Sequence, residues 1–334
     1  MDALCEKIGN AVSKQAISKY EKGESLPGSQ ILILLSQALD VKPDYFFRES
    51  QFAISNIEFR KKAKMGVKEV EAIKEEIRDI IERYLEIEDI WGCVPSFANP
   101  VKEMLVASDD DVCEVVKKLK DAWNIGEDGI LSVTDLLESK NIKVVEIKAD
   151  LSFDGLSGYV NNDENMPFVV VNKSFDVERL RFTGLHELGH LVMNLPEEME
   201  KKDKERLCNL FASEMLISRD IFVDVLGERR SDISLQELKV LQAVYGISVD
   251  ALMFKAKTVG VISESKHTSF CIRKNKSLAF KDAVERSSYR GVEESSRFDR
   301  LVYRALASDM ISCSKAAVLL NEPMEEVKNK LELV

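Results

Sequence analysis

Two of the chain's three histidines stand four residues apart, in Leu180-Arg181-Phe182-Thr183-Gly184-Leu185-His186-Glu187-Leu188-Gly189-His190-Leu191-Val192-Met193. No other feature constrains the fold as much. On a helix, residues at that spacing share one face, so His186 and His190 can present two imidazole nitrogens to a single ion. Glu187 projects beside it, where a carboxylate can take a proton from water whose pKa a zinc ion lowers to about 7. Phe182, Leu185, Gly189, Val192 and Met193 make most of this helix apolar. The histidines are therefore expected in a buried or cleft position, where an unpartnered polar ring costs free energy. Two solvated histidines on a surface helix are the competing reading, and the apolar context argues against it.

A four-coordinate catalytic zinc takes a third protein ligand and keeps one open position. The continuation H-E-x-x-H-x-x-G-x-x-H is excluded, because Met193 and Pro196 stand where its Gly and His would be. Downstream, residues 205–217 read as a second helix, with Leu207, Leu210 and Phe211 at i, i+3 and i+4 and Glu214 at i+7. A carboxylate in line with an apolar stripe needs a partner, and zinc is the partner expected here, with Glu214 as third ligand. The alternative is a carboxylate at the edge of the stripe that reaches water. Cys208 and His267 are the other candidates; His267 otherwise reads as a structural or surface residue.

A chain of 334 residues is expected to form two or three domains. Hydrophobic residues at 45% suffice for a real core, and charged residues at 31% fit a soluble protein. No apolar run has the length of a membrane span and the first residues do not read as a signal peptide, so the expected location is cytoplasmic. Six cysteines lie scattered without C-x-x-C, which points to free thiols. A net charge of -11 argues against nonspecific coating of nucleic acid. Between Lys255 and Arg300, eleven Lys/Arg face six Asp/Glu, a basic excess that reads as a solvated surface or a contact for phosphate or an acidic partner.

At the amino end, Leu4 to Ile8 is helical, Gly9-Asn10-Ala11-Val12 a turn, and Ser13 to Gly23 a helix with Ser13 as cap and Gly23 as stop. Helical apolar residues Ile31, Leu34, Leu35, Ala38 and Leu39 follow, then Val41-Lys42-Pro43-Asp44-Tyr45-Phe46. Ser13-Lys14-Gln15-Ala16-Ile17-Ser18-Lys19-Tyr20-Glu21-Lys22-Gly23, with that closing segment, resembles the Xre/Cro-type DNA-binding domain. The resemblance implies that the helix from Ser13 enters the major groove, with Ser13, Lys14, Gln15, Ser18 and Lys19 as DNA-contacting residues. Ala16, Ile17 and Tyr20 are then core. Family members have one helix before this pair, so the domain reads as starting in the second. Residues 1–50 carry six Lys/Arg against seven Asp/Glu, so there is no basic footprint. A small helical module for protein contacts is the other reading.

From Gly66 to Gly92 a long helix is expected, with Val70, Ile73, Ile77, Ile80, Tyr84, Ile87 and Trp91 in a seam. That seam fits a homodimer zipped as a short coiled coil, or packing against the body of the chain, which Ile81 and Leu85 favour by widening the stripe. Asp135 to Asn141 closes a helix. Ile142 to Ile147, Leu156 to Val160 and Phe168 to Val171 read as strands of a small twisted sheet, with a turn at Asn161-Asn162-Asp163. Tyr159 is a candidate oxyanion stabiliser, a packed sheet tyrosine being the plainer reading. Leu235 to Lys257 reads as two helices around Tyr245-Gly246-Ile247-Ser248, and Phe298 to Leu320 again has helix-turn-helix character.

His186-Glu187-Leu188-Gly189-His190, followed by Asn209-Leu210-Phe211-Ala212-Ser213-Glu214-Met215-Leu216-Ile217, resembles the ImmA/IrrE family of zinc metallopeptidases. The strand Pro167 to Asn172, the Arg181-Phe182 lead-in, the Tyr245-Gly246-Ile247-Ser248 segment and the basic linker Phe59-Arg60-Lys61-Lys62-Ala63-Lys64 share in it. Cys208 and Ser218 depart from the family's usual Ala and Pro without removing a ligand. The resemblance covers about residues 55–265, and 1–47 for the DNA module. It implies an α+β, mostly helical chain: a helix-turn-helix domain at 1–50, a linker and long helix at 51–95, a gluzincin-like peptidase domain at 96–260 and a helical region at 261–334. It implies Zn2+ held by His186, His190 and Glu214, with Glu187 as general base. The expected function is cleavage of a repressor or other regulatory protein, with operator DNA bound by the first domain. The alternative is a DNA-binding regulator or antitoxin-like protein whose zinc domain senses or binds a partner without proteolysis.

Overall fold

The computed structural model describes residues 2–39, 43, 46, 54–55, 66–92, 96–160 and 163–331. The basic linker at 59–64, the Asn161-Asn162 part of the turn and most of Val41–Phe46 lie outside them. Contacts divide the chain into two compact units, Met1–Gln51 and Phe52–Val334.

The first unit holds α1 (Asp2–Lys7), α2 (Lys14–Glu21) and α3 (Ser29–Leu39). Gly9 and Asn10 turn the chain with positive φ, and the Ser13 hydroxyl accepts from the Ala16 amide at 3.2 Å to start α2. Cys5, Ile8, Ile17 and Leu35 form its small core, with Leu4, Val12, Ile31, Leu34 and Ala38 packed around them.

The second unit is built on a mixed sheet in the order β1-β3-β4-β2. Its strands are β1 (Ile54–Ser55), β2 (Lys143–Ile147), β3 (Gly155–Val160) and β4 (Pro167–Asn172). β4 runs antiparallel to β3 and parallel to β2, while β1 pairs antiparallel with β3. All six residues of β4 are buried because both of its faces are covered. Phe168 and Val170 point to one side, against α4 (Val67–Ile90); Val169 and Val171 point to the other, into the main core. Along α4, Val70, Ile73, Ile77, Ile81 and Leu85 pack on the sheet, and Ile87 and Trp91 on the carboxy-terminal helices. Burying each such side chain is worth about 1.5–3 kcal/mol. The apolar seam is thus spent inside the chain and is not available for a coiled coil.

The main core is helical: α5 (Asp109–Trp123), α6 (Val133–Ser139), α7 (Val177–Val192), α8 (Lys201–Leu216), α9 (Arg219–Leu226), α10 (Leu235–Tyr245) and α11 (Val249–Val259). α7 lies across β3 and β4. A Cβ at Gly155 would come within 2.6 Å of the Thr183 Cγ2 atom, so the glycine sets how closely α7 approaches the strand. α12 (Glu264–Lys276) and α13 (Leu278–Glu285) follow, then α14 (Arg297–Ala307), α15 (Cys313–Leu319) and α16 (Met324–Lys330). The last three bury Val302, Ala305, Leu306, Ala316, Leu319 and Val327 with Ile87 of α4. The positive stretch between Lys255 and Arg300 is partly neutralised within the chain, as Lys266 pairs with Asp232, Lys274 with Asp250 and Glu285, and Arg297 with Glu88.

No helix among the described residues is long and apolar enough to cross a membrane.

Candidate metal centre and active site

α7 starts at Asp176, whose side chain accepts from the Arg179 amide at 2.9 Å. It ends where Asn99 Nδ2 donates to the Val192 carbonyl at 2.8 Å and the Tyr159 hydroxyl to the Leu191 carbonyl at 3.2 Å. Both ends are thus satisfied by side chains from outside the helix. Tyr159 therefore serves as a cap on the last turn of α7. It does not line the cavity at the histidines, which corrects the expectation of an oxyanion role.

One turn apart on α7, His186 and His190 bring their Nε2 atoms to 3.3 Å from each other. Glu205 of α8 faces them, with its Oε2 3.4 Å from His186 Nε2. Ligand atoms of His186, His190 and Glu205 all lie within 4.8 Å of one another, a spacing one ion can bridge. Asn209, one turn beyond Glu205, accepts at Oδ1 from His186 Nδ1 at 2.9 Å, which leaves Nε2 as the coordinating nitrogen. Two imidazoles and a carboxylate fit a divalent ion such as zinc.

Glu214 is elsewhere. It is 3% exposed, its Oε1 pairs with Lys255 of α11, and its Oε2 accepts from the Arg219 amide at 2.8 Å. The expected third ligand is therefore corrected from Glu214 to Glu205. Nine residues separate the two, about two and a half turns, so they project from opposite faces of α8. The apolar stripe that ends in Glu214 is the face buried against the core, and the partner its carboxylate needed is a lysine. Burial pushes the Lys255 ammonium below its ordinary range against the pull of Glu214, and raises the nearby Cys113 thiol to about 11. Cys208 is fully buried in the core, and His267 of α12 stacks edge-on to Phe254 with its pKa lowered by burial and Lys257. Glu205 stands one turn before Asn209 on the polar face of α8, a place that no local sequence pattern marks as a ligand.

Glu187, 3% exposed, accepts from the Ser157 hydroxyl of β3 at 2.8 Å. That bond fixes the carboxylate's direction beside the histidines. The group opens into a cavity of about 850 Å³ whose wall runs along α7 from Glu187 back to Asp176 and includes residues of α8, α11, α12 and α13.

In the first unit, Gln15 and Lys19 are exposed and Ser18 is half-buried, one turn from Gln15 and Lys14. Lys14 pairs with Asp2, and the Ser13 hydroxyl is engaged as the helix cap.

A helix carrying H-E-x-x-H under a mixed sheet, with a facing carboxylate from the next long helix, defines a metallopeptidase-type domain. Residues 137–257 match the family model of the IrrE N-terminal-like domain, and residues 1–46 that of a helix-turn-helix domain. The chain joins a helix-turn-helix DNA-binding domain of the Xre type to a domain of the IrrE/ImmA-like peptidase family. No curated protein matches it.

Proposed function

We propose that the chain is a zinc-dependent endopeptidase that cuts a repressor or other regulatory protein and is directed to its operator by the first unit. His186, His190 and Glu205 hold the metal. Bound there, zinc supplies a Lewis acid that polarises the peptide carbonyl and makes water acidic enough to attack at neutral pH. Glu187 takes the proton from the attacking water and delivers it to the departing amide nitrogen, the two proton transfers that amide hydrolysis requires. Ser157 holds the Glu187 carboxylate in place between them. Asn209 fixes the ring of His186. The proposed DNA contacts are Gln15, Lys19 and Ser18, with Lys14 and Ser13 at the helix start.

The observation that carries this reading is Glu187: a buried carboxylate, oriented by a hydroxyl, beside a three-ligand group. A purely structural metal site has no use for it. The test compares new protein N-termini in cells carrying wild type or Glu187→Gln under several stresses. Termini that vanish with Glu187→Gln support the peptidase and identify its substrate. Identical termini, with zinc bound and the variant equally stable, favour a regulator that binds its partner without cutting.

A further inference from the structure

Four side chains of α7 that are not buried lie along one face of the helix. Arg179, Phe182, His186 and His190 follow one another at steps of three, four and four residues, while Arg181, Leu185, Glu187 and Leu188 between them are buried. The stripe that carries the two histidines therefore continues, one turn back, into a half-buried phenyl ring. Among the described residues that line the cavity, Phe182 is the one large apolar side chain. Gly155 and Ala251 are small, and the others are polar or charged. A ring so placed beside the metal group offers apolar surface that a bound molecule can cover, and covering it is favourable.

Neighbouring residues set the limits of this seat. The start of α11 meets α7 at the level of Phe182: Arg181, the residue before it, donates from Nη2 to the Tyr245 carbonyl at 3.3 Å, three residues before the Ser248 cap of α11. Ala251, in the first turn of that helix, adds only a methyl group to the cavity wall. At the other end the stripe closes on Arg179, which pairs with Asp154 at 2.6 Å and lies over the Phe175 ring. The seat is thus bounded by a metal ligand on one side and a paired guanidinium on the other. Phe182 stands one turn from His186, about 5.4 Å along the helix. An extended peptide advances about 3.3 Å per residue. A side chain one or two residues from a bond held at the metal therefore reaches the ring.

We infer that Phe182 is a specificity-determining residue: the cavity takes an aliphatic or aromatic side chain of the substrate, one or two residues from the scissile bond, against the Phe182 ring and the Ala251 methyl group. The inference rests on the peptidase reading of the same site. Its ligand is an extended peptide with Leu, Ile, Met or Phe at that position. A glycine there leaves the ring uncovered, and a charged residue would lose hydration against it without gaining a partner.

The test reads binding and needs no turnover. Full-length protein loaded with zinc is titrated calorimetrically with short peptidyl hydroxamates, whose hydroxamate holds the metal and fixes the register of the peptide. The first or second side chain from the hydroxamate is hydrogen, methyl, isobutyl, benzyl or carboxymethyl. At one of the two positions isobutyl or benzyl should bind at least about tenfold tighter than methyl, and carboxymethyl no tighter than methyl. Phe182→Ala should bring isobutyl and benzyl to within about threefold of methyl, whereas Phe182→Leu, which keeps an apolar surface, should retain most of the preference. Ala251→Leu fills the seat from α11 and should weaken benzyl at least about fivefold while leaving methyl within about twofold. Equal affinities across the series, or no binding by any member, overturn the inference. So does a preference that survives Phe182→Ala or, if that variant does not fold, one that survives Ala251→Leu. Failure of the peptidase reading is separate: a graded series in vitro alongside cellular N-termini that do not depend on Glu187.

Discussion

The assignment of Glu205 in place of Glu214 predicts a double dissociation between metal affinity and stability. Glu205→Gln removes one of three ligands from a half-exposed polar face, so the metal-free protein should melt within about 1 °C of wild type, as surface changes usually do. Its zinc affinity should fall more than about 100-fold, beyond the 10–100-fold typical of losing an outer-shell partner. Glu214→Gln does the reverse. Lys255 has a side chain 2% exposed, and without its carboxylate it becomes an uncompensated buried charge. Breaking a buried pair in this way costs about 3–5 kcal/mol, roughly 6–20 °C in Tm for a unit of this size. Zinc affinity, measured below the melting range, should stay within threefold of wild type. The assay is competition with a chromophoric chelator, alongside melting of the metal-free proteins. A Glu214→Gln protein that loses zinc while keeping its Tm, with Glu205→Gln still loaded, would refute the geometry.

Ser157→Ala leaves Glu187 in place without its orienting hydroxyl; kcat on a cleaved peptide should drop about tenfold with KM little changed, the pattern of a proton-transfer defect. Gly246 has a φ of +59°, and an added Cβ would lie 2.4 Å from Arg181 Nε. Gly246→Ala should therefore cost about 1–3 kcal/mol in thermal or denaturant unfolding, and a neutral result would show that Arg181 can move. Glu138 accepts from the Ser295 hydroxyl and the Arg297 amide, and burial raises its carboxyl above the ordinary 4.5. Across the interval between that value and the raised folded one, the folded state binds more protons than the unfolded, so stability falls as pH rises. Glu138→Gln should flatten this slope in melts taken from pH 4 to 8; an unchanged slope would assign it to other groups.

Much of this was legible because local chemistry and tertiary context agree. The Ser13 cap, the Gly23 stop and the strand at Ile142 to Ile147 are signals read within a few residues. His186, Glu187 and His190 came together because one helix carries all three. The third ligand sits on a second helix, where which face meets α7 depends on packing that no local pattern encodes. Glu214 lay on the apolar stripe and looked like a charge in need of a partner; Lys255, forty-one positions later, was not visible as that partner. Tyr159 is the packed sheet tyrosine of the plainer reading, but its acceptor at Leu191 is set by how β3 crosses α7, which no local pattern shows.

The carboxy-terminal region bears on the site through α7. Arg181, one residue before Phe182 and fully buried, pairs with Glu293 and donates to the Tyr289 hydroxyl at 2.8 Å and the Ile130 carbonyl at 2.6 Å. Glu293 in turn accepts from the Val133 amide at 3.0 Å and the Thr134 amide at 2.9 Å, at the start of α6. One turn earlier on α7, Glu178 accepts from Ser287. The segment between α13 and α14 is thereby tied to the helix that carries the metal ligands through buried charge. Further on, Arg297 binds Glu88 at 2.8 Å and Tyr84 at 2.9 Å, and Glu88 pairs with Lys143 of β2 at 3.1 Å. Buried ion pairs add little net stability over apolar replacements, but losing one partner is severe. Such a chain of contacts fixes orientation more than it adds free energy. Glu293→Gln should therefore lower peptide cleavage and stability together, whereas Ser157→Ala lowers cleavage alone. If Glu293→Gln unfolds at the wild-type temperature and cleaves at the wild-type rate, the tie is incidental and α7 is held by its apolar contacts.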